Sequence, residues 1–323
     1  MSSIHTIQLK TALKDAREAL PAVILGSYLF GVFTLLVAFS IHILRRKGIR
    51  TRAYAAMLIL IVLMYLLAAT SWAILASVLL RVVEDPQEYA HQEASALIIK
   101  DKTLQWCLGL NIFMSDIILA WRTWSLWSDS RKRTWIGGIA IILLFATAVA
   151  GTADLGIYSL HTVIPDQQND GALGYDNVPS VLYANFSGDI SVVFSAILNV
   201  LCVLFTATKI QQLKILQRSI DRRLSNNRIG RILFLLVSCE LVYCIFWIYW
   251  VAISFRDIGS DIPDLNVTLL MCNNTVAVQI NGIMPTFVIV CVSLQQVNAH
   301  DEMPSSPSPA FRCYLHNGWH GSL

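Results

Sequence analysis

The sequence predicts an all-α integral membrane protein: a bundle of seven transmembrane helices with its N-terminus outside and its C-terminus in the cytosol. Its 323 residues are 55% hydrophobic and only 14% charged, with a mean hydropathy of +0.58, which is too apolar for a water-soluble domain. Seven apolar runs are each long enough to cross a hydrocarbon core about 30 Å thick. Positive charge is also sorted between alternate loops.

The apolar runs define one membrane domain, residues 22–295, between an extracellular N-terminal segment, 1–21, and a cytosolic tail, 296–323. The runs cover residues 22–44, 54–80, 103–127, 135–158, 187–208, 232–255 and 276–294. The first run is too long for a signal-peptide core, so we expect it to be retained. The tail is rich in Ser and Pro, a composition typical of disorder.

The distribution of charge sets the predicted orientation. Lys and Arg concentrate in the first, third and fifth loops, which therefore face the cytosol, while the other loops carry mainly Asp and Glu. All three Asn-x-Ser/Thr acceptors, Asn185, Asn266 and Asn273, fall on the outer side and are candidate glycosylation sites. Asn266 is the most accessible of them, because the other two lie close to the bilayer. We expect a multi-pass glycoprotein of the plasma membrane.

Charged side chains inside hydrocarbon are costly and mark partnered or functional positions. On the third run, Asn111, Ser115 and Arg122 share one face, while Asp116 points about 140° away from Asn111 and needs a partner on another helix. Counted at about 1.5 Å per residue from the cytosolic end, Arg122 lies about 8 Å deep, Glu240 about 13 Å and Asp116 about 16 Å. We expect these three to meet as a candidate switch that closes the cytosolic side. A static pair that only fixes packing is the alternative.

Two further groups of polar and aromatic residues are candidate sites. A ligand entrance that favours a cation or hydrogen-bond donor is predicted toward the outside, from Asp154, Asp189, Trp72 and Trp106. Alternatively, some of these acids lie in the hydrated headgroup zone. On the seventh run Asn281 precedes Pro285 by four residues, and a proline at that position predicts a hinge.

Several functions of seven-helix proteins are excluded by missing residues. The seventh run holds no lysine for a retinal Schiff base, and of the seven histidines only His42 falls within a run, too few for a zinc hydrolase. The internal repeat of seven-helix sugar transporters is not visible. We predict no enzymatic activity, no cofactor and no metal. We also predict no nucleic-acid partner, because the net charge of +3 reflects membrane orientation.

Four segments carry a family resemblance: GSYLFGVFTLLVAFSIHILRR (26–46), LNIFMSDIILAWRTWSLW (110–127), CELVY (239–243) and QINGIMPTFVIV (279–290). From Pro21 to about Leu294 the chain resembles the functionally unassigned seven-transmembrane proteins of basidiomycete fungi. The resemblance implies a receptor-like topology without an established ligand or activity. Cys291 stands where the family pattern has a basic residue. The chain lacks the Asp-Arg-Tyr and Asn-Pro-x-x-Tyr motifs of rhodopsin-like receptors, so analogy to that class is architectural.

The leading functional hypothesis is an orphan receptor-like protein that binds a small extracellular molecule and signals through a heterotrimeric G protein at its basic cytosolic loops. The longest of these loops, 211–231, is the candidate contact, although anionic lipid would also attract its charge. A proton- or ion-coupled transporter using Asp116 and Glu240 is the competing hypothesis. A non-signalling scaffold is the third. The lipid bilayer is a partner in every case.

Overall fold

The computed structural model describes residues 2–47, 52–84, 94–127, 129–163, 186–220, 227–256 and 263–301. These residues form seven α-helices and contain no strand. The helices are α1 (Ser2–Lys47), α2 (Arg52–Glu84), α3 (Ala94–Ser125), α4 (Ser130–Val163), α5 (Phe186–Ile220), α6 (Asn227–Arg256) and α7 (Pro263–Asp301). The predicted seven-helix, all-α fold is confirmed.

The helices are long and apolar enough for a multi-pass membrane protein. Six contain spanning segments: Ala19–Ile43, Ala55–Glu84, Lys102–Ser125, Arg131–Asp154, Ile190–Gln212 and Met271–Cys291. The apolar stretch of α6, Val237–Ala252, is shorter, but the whole helix has 30 residues and at 1.5 Å per residue reaches about 45 Å. The side chains on the outside of the bundle are largely apolar, among them Tyr28, Leu35, Phe145 and Trp135, as a lipid-facing surface requires.

Two helices extend beyond the predicted limits of the membrane domain, residues 22–295. Helix α1 begins at Ser2 and continues through Pro21, so the predicted N-terminal segment is helical from its second residue. Helix α7 ends at Asp301, six residues past the predicted limit of the membrane domain. Hydropathy marks only the length that suits lipid, whereas a helix continues into water. Residues 302–323, the remainder of the predicted tail, lie outside the described residues.

Helix α3 occupies the interior of the bundle. It packs against α2, α4, α5 and α7, while the peripheral contacts join α1 to α2, α4 to α5, α5 to α6 and α7 to both α6 and α1. The apolar core lies along the inner faces of these helices and includes Phe33, Ile61, Met64, Trp247 and Trp250. The polar stripe predicted for α3 therefore faces other helices rather than lipid.

Helices α1 and α7 approach each other closely at two glycines. A Cβ atom on Gly26 would lie 2.5 Å from Cγ2 of Thr275, and one on Gly282 would enter the ring of the buried Phe33. Ordinary side-chain contacts are about 3.5–4.0 Å. These glycines are therefore required by the close packing of α1 on α7.

The predicted cytosolic ends of α3, α4 and α5 meet through aromatic and cationic side chains. Arg133 stacks on Trp124, with its guanidinium carbon 3.6 Å from the ring centre, and Lys209 lies 5.1 Å from that of Trp127. Trp127 is buried, so it serves these contacts rather than the exposed interfacial belt that is common for tryptophan at this depth. Asp129 caps α4 by accepting a hydrogen bond from the backbone N–H of Arg131 at 3.1 Å.

Candidate functional site

The ion pair predicted between α3 and α6 is present. A guanidinium nitrogen of Arg122 donates to the Glu240 carboxylate, and the two side chains are only 14% and 2% exposed. Thr206 of α5 lies beside Glu240. Arg122 follows Ser115 by seven residues, about two helical turns, so both side chains face inward from α3. A buried charge of this kind is tolerated because its partner is in place.

Asp116 does not join this pair. It is fully buried, and its Oδ1 accepts a hydrogen bond from Nδ2 of Asn199 on α5 at 3.1 Å. The prediction that Asp116 meets Arg122 and Glu240 is corrected, whereas its predicted need for a partner on another helix is met by Asn199. The reason is geometric. Asp116 lies about 120° around α3 from Arg122, so one side chain faces α5 and the other α6.

A hydrogen-bonded chain joins α3, α6 and α7 next to the ion pair. The hydroxyl of Tyr243 donates to Oδ1 of Asn281 at 2.7 Å, and Ser115 Oγ lies 3.0 Å from the same phenol oxygen. A phenol has one hydrogen to donate, so Ser115 is the donor to Tyr243. Tyr243 follows Glu240 by three residues on α6, which places the chain and the ion pair on one helix face.

The predicted hinge residues lie at the α7 end of this chain. Asn281 and Pro285 are both buried within α7. Pro285 has no N–H group, so the backbone carbonyl of Asn281 lacks its usual helical hydrogen bond. One turn earlier, the side chain of Asn111 on α3 donates to the carbonyl of Val278 at 2.7 Å. The α7 backbone is thus held by α3 and α6 around the proline, and bending there stays a prediction.

A small cavity separates the ion pair from the hinge. Its volume is about 20 Å³, and its lining includes Arg122, Glu240, Tyr243 and Pro285. That volume suits about one water molecule. Nε of Arg122 and Oε2 of Glu240 have no hydrogen-bond partner among the described residues, so both are available to such a water. The cavity is too small for an organic ligand, which makes this region a contact between helices rather than a binding pocket.

Of the four residues of the predicted ligand entrance, the structure describes the side chains of three. Trp106 is 45% exposed on the outer surface of α3, and Trp72 packs against α1, where its Nε1 donates to Ser27 Oγ at 2.9 Å. Asp154 is buried on α4, and the side chain of Asp189 lies outside the described part of the chain. The two tryptophans therefore do not line a common entrance, and the prediction is corrected for both of them. Hydropathy along the sequence reports the depth of a tryptophan in the bilayer, but not the direction in which its indole ring points.

The candidate glycosylation sites have different outcomes. Asn273 is 6% exposed within the Met271–Cys291 spanning segment of α7, whereas a glycan must project into solvent. The folded bundle therefore argues against Asn273 as an acceptor. Asn266 lies in α7 with its side chain outside the described residues, and Asn185 lies outside them altogether. Glycosylation at these two positions stays a prediction.

Replacing Tyr243 by Phe tests the chain between α3, α6 and α7. The variant removes the donor to Asn281 and the acceptor of Ser115 while keeping the ring, so we expect a loss of about 1–3 kcal/mol in the free energy of unfolding from two unpaired buried groups. Tyr249→Phe is the matched control, because Tyr249 is exposed on the same helix. Denaturant titration of both variants in detergent measures the difference, and equal losses would contradict the described contacts.

The fold and these contacts define the class of the protein: a multi-pass helical membrane protein whose interior is joined by a buried ion pair and by hydrogen bonds between α3, α5, α6 and α7. Comparison of the chain with protein-family models, with curated proteins and with solved structures found no match in any of the three.

Proposed function

We propose that the chain is a receptor-like protein of the fungal plasma membrane in which the Arg122–Glu240 pair holds the cytosolic halves of α3 and α6 together. The pair itself is the observation that carries this proposal. Buried ion pairs contribute little net stability compared with apolar packing, but they can distinguish two discrete arrangements of helices. An extracellular small molecule that binds better to the separated arrangement would shift the bundle toward it.

The contacts beside the pair supply a route from α7 to α6. Asn281 lies next to Pro285 in the three-dimensional helix and accepts the hydrogen bond of Tyr243, which shares a face of α6 with Glu240. A change in the bend of α7 at Pro285 would move Asn281 and thereby pull on Tyr243. The proposed response is therefore a concerted movement of α6 and α7 that separates Glu240 from Arg122.

The proposed intracellular partner is a heterotrimeric G protein. Arg131 and Lys132 are exposed where α3 turns into α4 on the predicted cytosolic side. The basic loop 211–231 follows α5 on that same side, although residues 221–226 and the side chains from 213 onward lie outside the described part of the chain. Separation of α3 from α6 would open the cytosolic surface between these basic segments, and an acidic protein surface would complement their charge.

Basal nucleotide exchange tests this proposal without a known ligand. Co-expressed fungal Gα subunits are assayed with wild-type chain, Glu240→Gln and Arg122→Ala in membranes of matched expression. We expect Glu240→Gln to raise exchange above wild type, because the charge that holds α6 to Arg122 is lost. Glu84→Gln makes the same chemical change on the exposed end of α2 and should leave exchange unchanged. Unaltered exchange in both pair variants with every Gα subunit would remove the main support for the receptor proposal.

A coupled carrier is the second candidate, and the burial of Asp116 favours it. Asp116 is a fully buried acid that takes no part in the Arg122–Glu240 ion pair. Acids at such depth mark proton and ion pathways in transporters. Tracer uptake that depends on pH and disappears in Asp116→Asn would support transport. A scaffold would change neither uptake nor nucleotide exchange in any variant.

A further inference from the structure

We propose that Asp116 is a buried proton-binding site whose carboxyl group is protonated and neutral in this arrangement of the helices, hydrogen bonded between Asn199 and Ser195 of α5. The proton is the ligand, and α3 and α5 form the site. The inference stands apart from the proposed receptor function, because it concerns a different face of α3 and holds whether or not the protein signals.

Among the residues that the structure describes, no cation pairs with Asp116. Asp116, Ser195 and Asn199 are all fully buried. The inner faces of α3, α4 and α5 also bury an apolar cluster that includes Leu119, Ala140 and Leu198, together with the polar side chains of Thr147, Ser191 and Asp154. Arg122 lies on another face of α3 and is engaged by Glu240. The titratable groups recorded close to Asp116 are the Cys202 thiol of α5 and the Tyr243 phenol of α6, and both are neutral at ordinary pH. An ionised carboxylate in this position would be uncompensated, which strongly disfavours it.

The hydrogen bonds around the carboxyl fit a neutral acid. Oδ1 accepts from Asn199 Nδ2, whereas Oδ2 has no ordinary hydrogen bond. The Ser195 hydroxyl lies beside the carboxyl, and its oxygen likewise has no hydrogen-bond partner among the described residues. A protonated acid has one accepting oxygen and one O–H donor. A proton on Oδ2, donated to Ser195 Oγ, would satisfy both atoms, whereas a carboxylate with about four lone-pair sites would keep most of them unfilled.

Proton binding here is linked to the contact between α3 and α5. If α5 moves away and water enters, the carboxyl becomes a hydrated carboxylate and its proton passes to water. The packed arrangement then holds one proton more than the separated one, so lower pH favours packing and higher pH favours separation. Asn199 and Ser195 act as positioning residues, since they orient the carboxyl without exchanging a proton with solvent themselves.

Infrared spectroscopy of the purified full-length protein in lipid nanodiscs detects the proton directly. A protonated carboxyl has a C=O stretch that is distinct from that of a carboxylate and shifts in D₂O. We expect this band in the wild type at neutral pH, its loss in Asp116→Asn, and its retention in Glu240→Gln, the control acid. Ser195→Ala should move the band to higher frequency by removing a hydrogen bond. Identical spectra for wild type and Asp116→Asn would overturn the proposal.

A stability measurement separates a proton from a metal cation. The amide of Asp116→Asn reproduces the neutral acid, with an oxygen that accepts from Asn199 and an NH₂ that donates to Ser195, so the unfolding temperature should stay within about 2 °C of wild type, an effect below about 1 kcal/mol. Asp116→Leu has a side chain of similar size but can make neither hydrogen bond, so its unfolding temperature should be lower than that of the wild type. A wild-type unfolding temperature that rises with NaCl but not with choline chloride, and a loss of this rise in Asp116→Asn, would contradict the proton assignment.

Discussion

Replacing Arg122 by Met alone is expected to lower the free energy of unfolding by about 3–5 kcal/mol, the largest single effect we predict. The reason is that the Glu240 side chain, only 2% exposed, would stay buried without its counter-charge. Glu240→Leu alone should cost less, because the Arg122 side chain is 14% exposed and can turn toward water. We therefore expect Arg122→Met to lower the free energy of unfolding more than Glu240→Leu does, because Glu240 is the more deeply buried of the two residues.

The double variant Arg122→Met/Glu240→Leu should recover most of the loss, since apolar side chains of similar volume often replace a buried ion pair at little cost. Titration of the four proteins with SDS in mixed micelles gives the coupling energy of the pair as a double-mutant cycle. Single losses that simply add in the double variant would show that Arg122 and Glu240 do not act on each other.

Gly282→Ala is also expected to destabilise the bundle, by about 1–3 kcal/mol and with a lower yield of folded protein. The added methyl would enter the ring of Phe33, which is fully buried in the α1–α7 contact and cannot turn out of the way. Gly31→Ala is the control on α1, because a Cβ there meets nothing within 4 Å. Alanine also forms helix more readily than glycine, so Gly31→Ala should be neutral or stabilising.

A smaller partner should rescue the Gly282 variant. Phe33→Leu opens a cavity next to Gly282 and should be destabilising alone, yet less so when combined with Gly282→Ala, because the methyl then fills part of the space. Thermal unfolding monitored by size-exclusion chromatography in detergent resolves the four proteins. If Gly282→Ala matched Gly31→Ala, the close approach of α1 and α7 would be wrong.

Much of the fold could be predicted because the apolar runs that place helices in lipid can be located directly in the sequence. Seven apolar runs require seven helices in lipid, since only a helix satisfies every backbone group within its own segment. The Arg122–Glu240 pair could be predicted for a similar reason, because the two charges lie in apolar runs at comparable depth and each needs a partner. One-dimensional depth and the cost of an unpaired charge were sufficient for that contact.

The remaining contacts depend on rotation and tilt, which hydropathy does not encode. Asn199 is the one side-chain amide inside the fifth apolar run, and a polar residue in such a run indicates a contact with another helix, as it did for Asp116. The sequence does not show which neighbouring helix the Asn199 side chain faces. The Tyr243–Asn281 hydrogen bond requires α6 and α7 to be set at one relative height. The need for glycine at position 282 depends on the Phe33 ring of α1 that lies against it, a contact that the sequence does not indicate.

The two polar systems on α3 are distinct, and their separation shapes the functional proposals. Arg122 and Ser115 face α6 and α7, whereas Asp116 faces α5. A receptor that opens between α3 and α6 would use the first system and leave the second intact. Asp116→Asn should then leave basal nucleotide exchange unchanged while it removes the carboxyl band, so the two proposals can fail independently.

The central claim, that the Arg122–Glu240 pair holds α3 against α6, is tested most directly by a distance. Spin labels at Ser125→Cys and Leu241→Cys, both exposed near the pair, are measured by pulsed electron paramagnetic resonance in nanodiscs after replacement of the seven native cysteines. We predict one narrow distance distribution with the pair intact and a second, longer population when Glu240→Gln is added. A single unchanged distribution in both proteins would contradict the claim.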